Sequence, residues 1–524
     1  MPPGVAAQID PGLINRQNRQ NQLQLEQQTE QLNTGPAVVS PSAGPAQIAA
    51  PGGPTVLLRS VTFDQSKFLT QDELNALAAP LIGQRVDISQ IQRLVKAVND
   101  LYGQRNIVTS SAILPPQDLK AGNLHIQLIE GRLDKIETKG GVKLSPDFVL
   151  SRVTGAPGEV VDVPALTDQV ARFNKTSVAQ LQAFLQPGSQ FGLTDIQLAI
   201  TEPPVNALNF FVDNQGVDSV GRLEGGFLFQ KYAPLGIDDK LTVYFVKSEG
   251  NVSGNVAYNI PFDLTGGRVG VSLSRGAIQV VNGPYEPLHI TGDSTIASLN
   301  ASQPLFVNQD WLFLLNGAFS FFNSASDQAD VIHITNNDTY KGTIGFTVGY
   351  TSPDFAASLS PTYSRAHTDF NILGTSQEFS LANGVYSALA RLPYDFTLTL
   401  GGAFQVSSAA LLPGDQLFQI GGPTTVRGYP TDAVAGASGY YGNLELHHPL
   451  PMVLAGLDVF AFYDKGAVYN PAPKVINLNS AGVGLSYDIN KVALAEVSAG
   501  FPITQALDKQ PDYEIYFRLT AKFQ

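Results

Sequence analysis

The sequence contains no cysteine in its 524 residues. This absence excludes disulfide bonds, zinc–thiolate sites and thiol nucleophiles. A long chain without thiols suits an oxidising compartment, where a stray thiol would be a liability. Charge is also scarce, because only 15% of the residues are charged, against about a quarter in ordinary soluble proteins. The formal net charge of -13 argues against a general nucleic-acid binder, since no basic excess is available to displace counterions from phosphates.

Long apolar runs are missing as well. No stretch of about 18 apolar residues occurs, so the sequence predicts no transmembrane helix. A basic start followed by an apolar stretch and a cleavage site is also lacking. For an exported protein we therefore expect the numbering to begin after the signal peptide. No glycine-rich loop ending in Lys-Ser or Lys-Thr follows a strand-like segment, which argues against a nucleotide site.

The first 54 residues are polar and divide into two parts. Residues 13–32, LINRQNRQNQLQLEQQTEQL, are rich in glutamine and have a helix-forming composition, with a thin apolar stripe through Leu25 and Leu32. Two interpretations stay open: a solvated or disordered helix, or a helix whose polar surface lies inside a water-filled space. Residues 33–54 are rich in Pro, Gly, Ala and Ser, which predicts a linker after a helical segment at 1–32.

The middle of the chain is predicted to form two copies of one small α+β unit, at residues 55–131 and 132–206. Each copy has the order strand, helix, helix, strand, strand. In the first copy Thr70 and Glu73 form a capping box at the start of one helix, and Ser89 opens the next helix together with Gln92. In the second copy the segments PALTDQVARFNK and SVAQLQAFL are both predicted to be helical.

Residues 207–524 change character, because apolar and small polar residues alternate with a period of two. In the last segment Tyr513, Ile515 and Phe517 alternate with polar or charged neighbours. About sixteen such segments occur, each about ten residues long, which is the length a tilted strand needs to cross about 30 Å of hydrocarbon. An open sheet edge is not tolerated in lipid, so we predict a closed transmembrane antiparallel β-barrel of about 16 strands with an aqueous lumen. A soluble β-rich domain is the alternative.

The segment GGPTTVRGYP, residues 421–430, lies in a connection at 407–437 that is longer than an ordinary hairpin loop, which favours a functional loop. Arg427 would be solvated on a loop tip, but it would need a carboxylate partner if the loop folds into the lumen. Asp464 is a candidate partner, because it alternates with the apolar face of its strand and is therefore expected to point into the lumen. A guanidinium can hold such a carboxylate through two parallel hydrogen bonds.

These features together resemble the two-partner secretion translocators, the TpsB family (ShlB/FhaC/HecB-like) of the outer-membrane insertase superfamily. The loop signature of that family, Val-Arg-Gly-Tyr, matches Val426, Arg427, Gly428 and Tyr429. Its strand signature, Phe-x-Asp-x-Gly, matches Phe462, Asp464 and Gly466. The resemblance identifies the two repeated units as POTRA domains and the N-terminal helix as a plug. One departure is that the chain ends in Gln524, where outer-membrane strands usually end in an aromatic residue.

The resemblance implies export of a large unfolded exoprotein that carries an N-terminal secretion domain. The POTRA domains would lie in the periplasm and capture extended substrate, and the substrate would cross the outer membrane through the barrel lumen without ATP. Further partners implied are outer-membrane lipid and the barrel assembly machinery during biogenesis. We expect no nucleic-acid partner, no cofactor, no metal and no catalytic residue. The alternatives are a factor that inserts other barrels, which usually has more POTRA repeats, and a passive porin.

Enzyme interpretations have little support in the sequence. His447 and His448 are adjacent, so on a strand they point to opposite faces and cannot hold one metal together. The paired acids Asp238 and Asp239 are expected to be solvated loop charges. We therefore predict that the protein is not an enzyme.

Overall fold

The computed structural model of the chain describes residues 10–29, 38–39, 52–329, 331–471 and 474–523. The chain divides into two compact units, which are Met1–Asn33 with Pro203–Gln524, and Thr34–Glu202. Most of the predicted linker and the terminal Gln524 lie outside the described residues. Within the described residues, no α-helix is both long and apolar enough to span a membrane.

The elements are numbered in chain order. The α-helices are α1 (Pro11–Thr29), α2 (Gln71–Ala78), α3 (Ile88–Gln104), α4 (Pro146–Leu150) and α5 (Val163–Thr176). The first strands are β1 (Val38–Val39), β2 (Val56–Leu57), β3 (Ser60–Phe63), β4 (Arg85–Val86), β5 (Ser110–Ile113), β6 (Asn123–Glu130), β7 (Arg132–Gly140), β8 (Gln180–Pro187) and β9 (Leu193–Thr201). The later strands are β10 (Asn206–Asp213), β11 (Glu224–Tyr232), β12 (Lys240–Lys247), β13 (Asn251–Pro261), β14 (Arg268–Gln279), β15 (Ile290–Val307), β16 (Trp311–Gln328), β17 (Ile332–Thr351), β18 (Phe355–Phe370), β19 (Thr375–Arg391), β20 (Thr397–Ser407), β21 (Phe418–Ile420), β22 (Val434–Gly436), β23 (Ser438–Pro449), β24 (Leu457–Tyr469), β25 (Val475–Ile489), β26 (Ala493–Pro502) and β27 (Glu514–Phe523). Short 3-10 turns occupy Ala79–Leu81, Asp218–Val220, Glu286–Leu288 and Gly414–Gln416.

The first half of the unit Thr34–Glu202 is a three-stranded sheet, β3-β6-β5, packed against α2 and α3. The capping box of α2 forms between Thr70 and Glu73, as the spacing predicted. The prediction that Ser89 opens the next helix is wrong: Asp87 caps α3 and forms a capping box with Gln90. Asp87 accepts the same hydrogen bonds that serine would accept, and Ser89 lies inside the helix, donating to Asp87 over 2.6 Å.

The second half of this unit is the sheet β1-β8-β9-β7. The segment SVAQLQAFL was predicted as helix, but most of it forms strand β8. Leu181, Ala183 and Leu185 are buried, while the residues between them are half-buried and Gln186 is exposed, so a period of two decides the structure over helix-forming composition. The two helices of this copy are the short α4, which comes first, and α5. Strand β1 lies parallel to β8, with Val38 opposite Ala183.

The other unit is a closed antiparallel barrel of sixteen strands, in the order β10 to β20 and then β23 to β27. The barrel closes where β10 pairs with β27. In β27, Tyr516 and Arg518 are buried while Ile515 and Leu519 are exposed, so polar groups face the lumen and apolar groups face outward. The predicted transmembrane β-barrel is confirmed.

Strands β15 to β19 are longer than the predicted ten residues, and β17 reaches 20. At about 3.3 Å per residue and a tilt near 40°, a strand of that length spans roughly 50 Å, well beyond the hydrocarbon thickness of about 30 Å. The outward side chains are apolar from Trp311 to Phe321 in β16 and become polar at Asn323 and Asp327. These strands therefore continue past the bilayer at the end opposite Trp311.

Two elements fill the barrel. Helix α1 contacts β13 to β16, and the long connection between β20 and β23 folds inward, where β21 and β22 form a small antiparallel sheet. Side chains of this connection pack in a core with wall residues Val468 and Leu478. The sequence favoured a functional loop here, and the fold places it inside the lumen.

Candidate functional site: the filled barrel lumen

Helix α1 is held in the barrel mainly by polar side chains. Asn15 donates to Ser294 over 2.9 Å and accepts from Ser274 over 2.7 Å. Arg19 donates to Asn255 over 2.8 Å. Because these partners are wall residues, the glutamine- and asparagine-rich sequence of α1 fits a polar lumen, which is the second of the two interpretations left open by the sequence.

In the described part of α1, the apolar contacts fall into three small clusters, one of which joins Ile14 to Val217, Val220 and Ile278. Leu13 packs with Leu417 of the inward loop, and Leu25 packs with Phe211 and Tyr244 of the wall. The sequence pointed to Leu25 but missed Leu13, which lies at the start of the predicted segment; Leu32 lies outside the described residues. A cavity of 490 Å³ stays open beside Arg16 and Arg19 of the helix, and its lining includes several serine and asparagine side chains.

The start of α1 fits closely against the inward loop. A Cβ added to Gly414 would lie 2.0 Å from Oδ2 of Asp10, and one added to Gly12 would lie 2.6 Å from Cβ of Asp415. Asp10 caps the helix, accepting from the backbone N–H groups of Gly12 at 2.8 Å and Leu13 at 3.2 Å. Burial, and then the nearby charge of Asp415, raise the pKa of Asp10 to about 6. Helix and loop therefore dock as one interlocked pair.

Arg427 is the centre of the loop's attachment to the wall. Its Nε and Nη2 lie 2.7 Å from the two carboxylate oxygens of Asp464, and its backbone N–H donates to the same carboxylate over 3.0 Å. Nη1 lies 2.7 Å from Glu445, and the guanidinium carbon lies 3.5 Å from the ring centre of Phe462. Asp464 is fully buried and Arg427 is 6% exposed. We call Arg427, Glu445, Phe462 and Asp464 the loop lock.

Steric constraints explain the two motif glycines, Gly428 and Gly466. Gly428 has a φ of 86°, and its N–H donates to the Tyr516 hydroxyl over 3.1 Å. Val426 is fully buried beside Gly466, where a Cβ would lie 3.1 Å from a Val426 methyl. Glycine at 466 therefore leaves room for the valine.

Tyr429 anchors the loop to a second part of the wall. Its ring is fully buried, and its hydroxyl lies 2.9 Å from the carbonyl oxygen of Asn479 and 2.8 Å from that of Thr504. The carbonyl of Tyr429 accepts from the Tyr516 hydroxyl over 2.6 Å. The loop is thus fixed on both sides of Gly428.

A second buried ion pair lies where the barrel closes, and it was not predicted from the sequence. Arg518 of β27 donates from Nε to Asp213 of β10 over 2.8 Å and from Nη2 to Gln215 over 2.7 Å. The inward loop reaches this pair, because the Thr431 hydroxyl donates to the Gln215 carbonyl over 3.1 Å. A lone arginine among the lumenal positions of the last strand was the available signal.

The expectation that Asp238 and Asp239 are solvated loop charges is wrong. Asp238 and Asp239 were expected to be solvated, but both are fully buried: Arg268 lies 2.8 Å from Asp238, and the hydroxyl of Tyr258 donates to Asp239. The turn between β11 and β12 therefore buries both carboxylates against partners from the following strands β13 and β14. Within the described parts of the chain, no cluster of three or more potential metal ligands occurs.

His447 and His448 do point to opposite faces. His447 faces the lumen between Glu445 and Asp458, whereas His448 stacks on Phe396 with ring centres 4.4 Å apart. Glu445 was also missed by sequence reasoning, although a single acid in LELHH at a lumenal position was a usable signal.

A barrel of this size, with small α+β units before it and a helix and a loop folded into its lumen, defines an outer-membrane protein transporter. The chain belongs to the Haemolysin secretion/activation protein ShlB/FhaC/HecB family, whose model matches residues 192–487. Residues 56–131 match the POTRA domain of ShlB type. It is an outer-membrane transporter of the two-partner secretion type that exports partner exoproteins, and the members of its family are transporters rather than enzymes.

The chain is similar to known transporters over most of their length. The chain is 25% identical to the outer membrane transporter CdiB of Dickeya dadantii over 485 residues, covering 88% of this chain and 85% of that protein. It is 22% identical to the heme/hemopexin transporter protein HuxB of Haemophilus influenzae over 481 residues, covering 86% and 84%. The solved structure of CdiB from Escherichia coli has the same fold, with a TM-score of 0.71 at 22% identity and 98% of each chain covered.

Proposed function

We propose that the exported partner is a large unfolded exoprotein with an N-terminal secretion domain, and that it crosses through the barrel lumen without ATP. The observation that carries this proposal is the nature of the lumen filling. Helix α1 is bound by side-chain hydrogen bonds and by small apolar contacts such as that of Leu13, and no described residue of α1 pairs with the wall through a β-ladder. Such a filling can leave and return, because the polar lumen can hydrate the groups that it exposes.

In this proposal the chain is divided by task. Residues 1–32 seal the lumen, 33–54 tether the seal, and 55–131 with 132–206 are the periplasmic POTRA domains that receive substrate. Residues 207–524 form the conduit, with the loop at 407–437 inside it. Folding of the exoprotein outside the cell would make its return unfavourable, so no nucleotide is needed.

Substrate capture would use main-chain pairing at a sheet edge. An extended segment gains affinity from backbone hydrogen bonds whatever its sequence, while side-chain pockets supply choice between partners. Strand β1 provides an internal example of such pairing, because the two residues Val38 and Val39 lie along β8 in parallel register. The edge of β8 therefore accepts an added strand.

We assign the loop lock the task of holding the loop in its resting position. Val426, Gly428 and Tyr429 shape the loop, and Gly466 makes room for it. Arg427 joins it to Asp464 by two parallel hydrogen bonds in a water-poor site. Release of this contact would widen the passage once substrate has displaced α1. Other partners in this proposal are outer-membrane lipid and the barrel assembly machinery during biogenesis, with no nucleic acid.

The proposal is tested by removing residues 1–32 and measuring conductance in planar bilayers together with release of a co-expressed partner exoprotein. We expect a large, steady rise in conductance relative to the full chain, since the lumen loses its main occupant. The Gln20→Ala variant is a matched control, because that side chain is exposed toward the open cavity. Unchanged conductance after the deletion would show that α1 does not seal the pore.

A further inference from the structure

The loop lock continues into a longer row of charged groups on the lumenal face. Glu445 contacts Arg427 through Oε1 at 2.7 Å, and its other oxygen, Oε2, lies 2.9 Å from Nε2 of His447. Nδ1 of His447 lies 2.7 Å from Oδ1 of Asp458 on the neighbouring strand β24. The row Asp464, Arg427, Glu445, His447, Asp458 thus alternates negative and positive groups from the loop toward the turn between β23 and β24.

The position of His447 between two carboxylates fixes its protonation. Ionised carboxylates only accept hydrogen bonds, so both ring nitrogens of His447 must donate. A proton on Glu445 or Asp458 could replace one of these donors, but carboxyl groups ordinarily titrate near 4 and imidazole near 6.5, so the ring holds the proton. His447 is an imidazolium in this arrangement.

Among the residues that the structure describes, no other charged group is recorded in contact with His447. Neighbouring strand β20 places Thr397 opposite His447, and the ring stacks on Phe460 with centres 4.9 Å apart. The charged groups that face it are Glu445 on its own strand and Asp458 on β24, with Arg427 of the loop beyond Glu445. Without the imidazolium, the carboxylates of the row outnumber its cations by two instead of one.

We propose that His447 is a positioning residue of the loop lock, which holds Glu445 against Arg427 and makes release of the loop pH-dependent near neutrality. The inference rests on the proposed function of the lock. The charged ring stabilises the docked loop, so this stabilisation is complete at low pH and is lost as pH rises through the pKa of His447 in the locked state. Deprotonation removes one hydrogen bond and leaves Glu445 and Asp458 to repel each other.

A thiol on the loop reports release directly. Because the chain has no cysteine, Val434→Cys introduces a single thiol at a position that is only 4% exposed while the loop is docked. Its labelling rate by a membrane-impermeant reagent is measured at about pH 6 and about pH 8.5 and divided by the rate in the Arg427→Ala variant, which cancels the thiol's own titration. Asp432 lies on the same loop and burial raises its pKa to about 7, so all variants also carry Asp432→Asn.

The protein that carries only Val434→Cys and Asp432→Asn serves as the parent in this assay. We expect it to label about tenfold faster at the higher pH, the effect of losing one hydrogen bond between charged groups. His447→Gln should label fast at both pH values, His447→Lys slowly at both, and the outward-facing control His448→Gln like the parent. A parental pH response in His447→Gln, or slow labelling of that variant at low pH, overturns the proposal. Equal labelling of the parent and the Arg427→Ala variant would instead overturn the loop lock itself. Heat-modifiable migration shows that each barrel is folded.

Discussion

Replacing Asp464 by alanine removes the partner of three hydrogen bonds from Arg427, namely those from Nε, Nη2 and the backbone N–H. Arg427 keeps Glu445 at 2.7 Å, so the guanidinium is not left wholly unpaired. Breaking a buried pair on one side typically costs about 3–5 kcal/mol, and we expect the lower part of that range here. This corresponds to a shift on the order of a hundredfold in the equilibrium between docked and released loop.

The assay combines loop labelling at Val434→Cys with release of the exoprotein by cells that have normal barrel levels. Asp464→Ala, Arg427→Ala and the double variant form a cycle, and the double variant should be little worse than either single variant, with a coupling of about 2–3 kcal/mol. Asp508→Ala, an exposed acid in the connection between β26 and β27, is the matched control. Defects of the single variants that simply add would refute the idea that these two side chains act as one contact.

Two further predictions concern the docking of α1. Gly414→Ala should weaken docking and raise the resting conductance in planar bilayers, because its Cβ would collide with the Asp10 carboxylate, whereas Gly401→Ala, with open space around it, should behave as the parent; equal conductance of the two variants would contradict the interlock. Burial raises the pKa of Asp10 from the ordinary 3.8 to about 6, so docking takes up a proton. Conductance should therefore rise as pH increases from about 4 to about 6, and Asp10→Asn should flatten this response. A slope that is unchanged in Asp10→Asn would assign the response to another group.

The barrel was predictable because its physical rule is local. Alternation in a segment such as β27 follows from facing lipid on one side and water on the other, so it is written in neighbouring residues. The same parity placed Asp464 in the lumen, opposite the outward-facing Tyr463. Contacts between distant segments were less accessible: Arg518 and Asp213 meet only because the last strand closes on the first.

The sequence-based predictions that were wrong also failed for specific physical reasons. SVAQLQAFL contains good helix formers, but the packing of β8 between β1 and β9 overrides that propensity. Asp238 and Asp239 look solvated in a sequence because their partners Arg268 and Tyr258 come from the next hairpin. Likewise, the interlock of Gly414 with Asp10 joins positions about four hundred residues apart, which no local pattern encodes.

The unequal strand lengths give the mouth of the barrel a high side and a low side. Strands β15 to β19 extend past the membrane surface as a raised wall, while β10 to β12 end after eight or nine residues. A polypeptide emerging from the passage therefore meets a barrier along one flank and open water along the other. The first segments of the exported chain to fold would therefore do so beside that barrier, on one side of the exit.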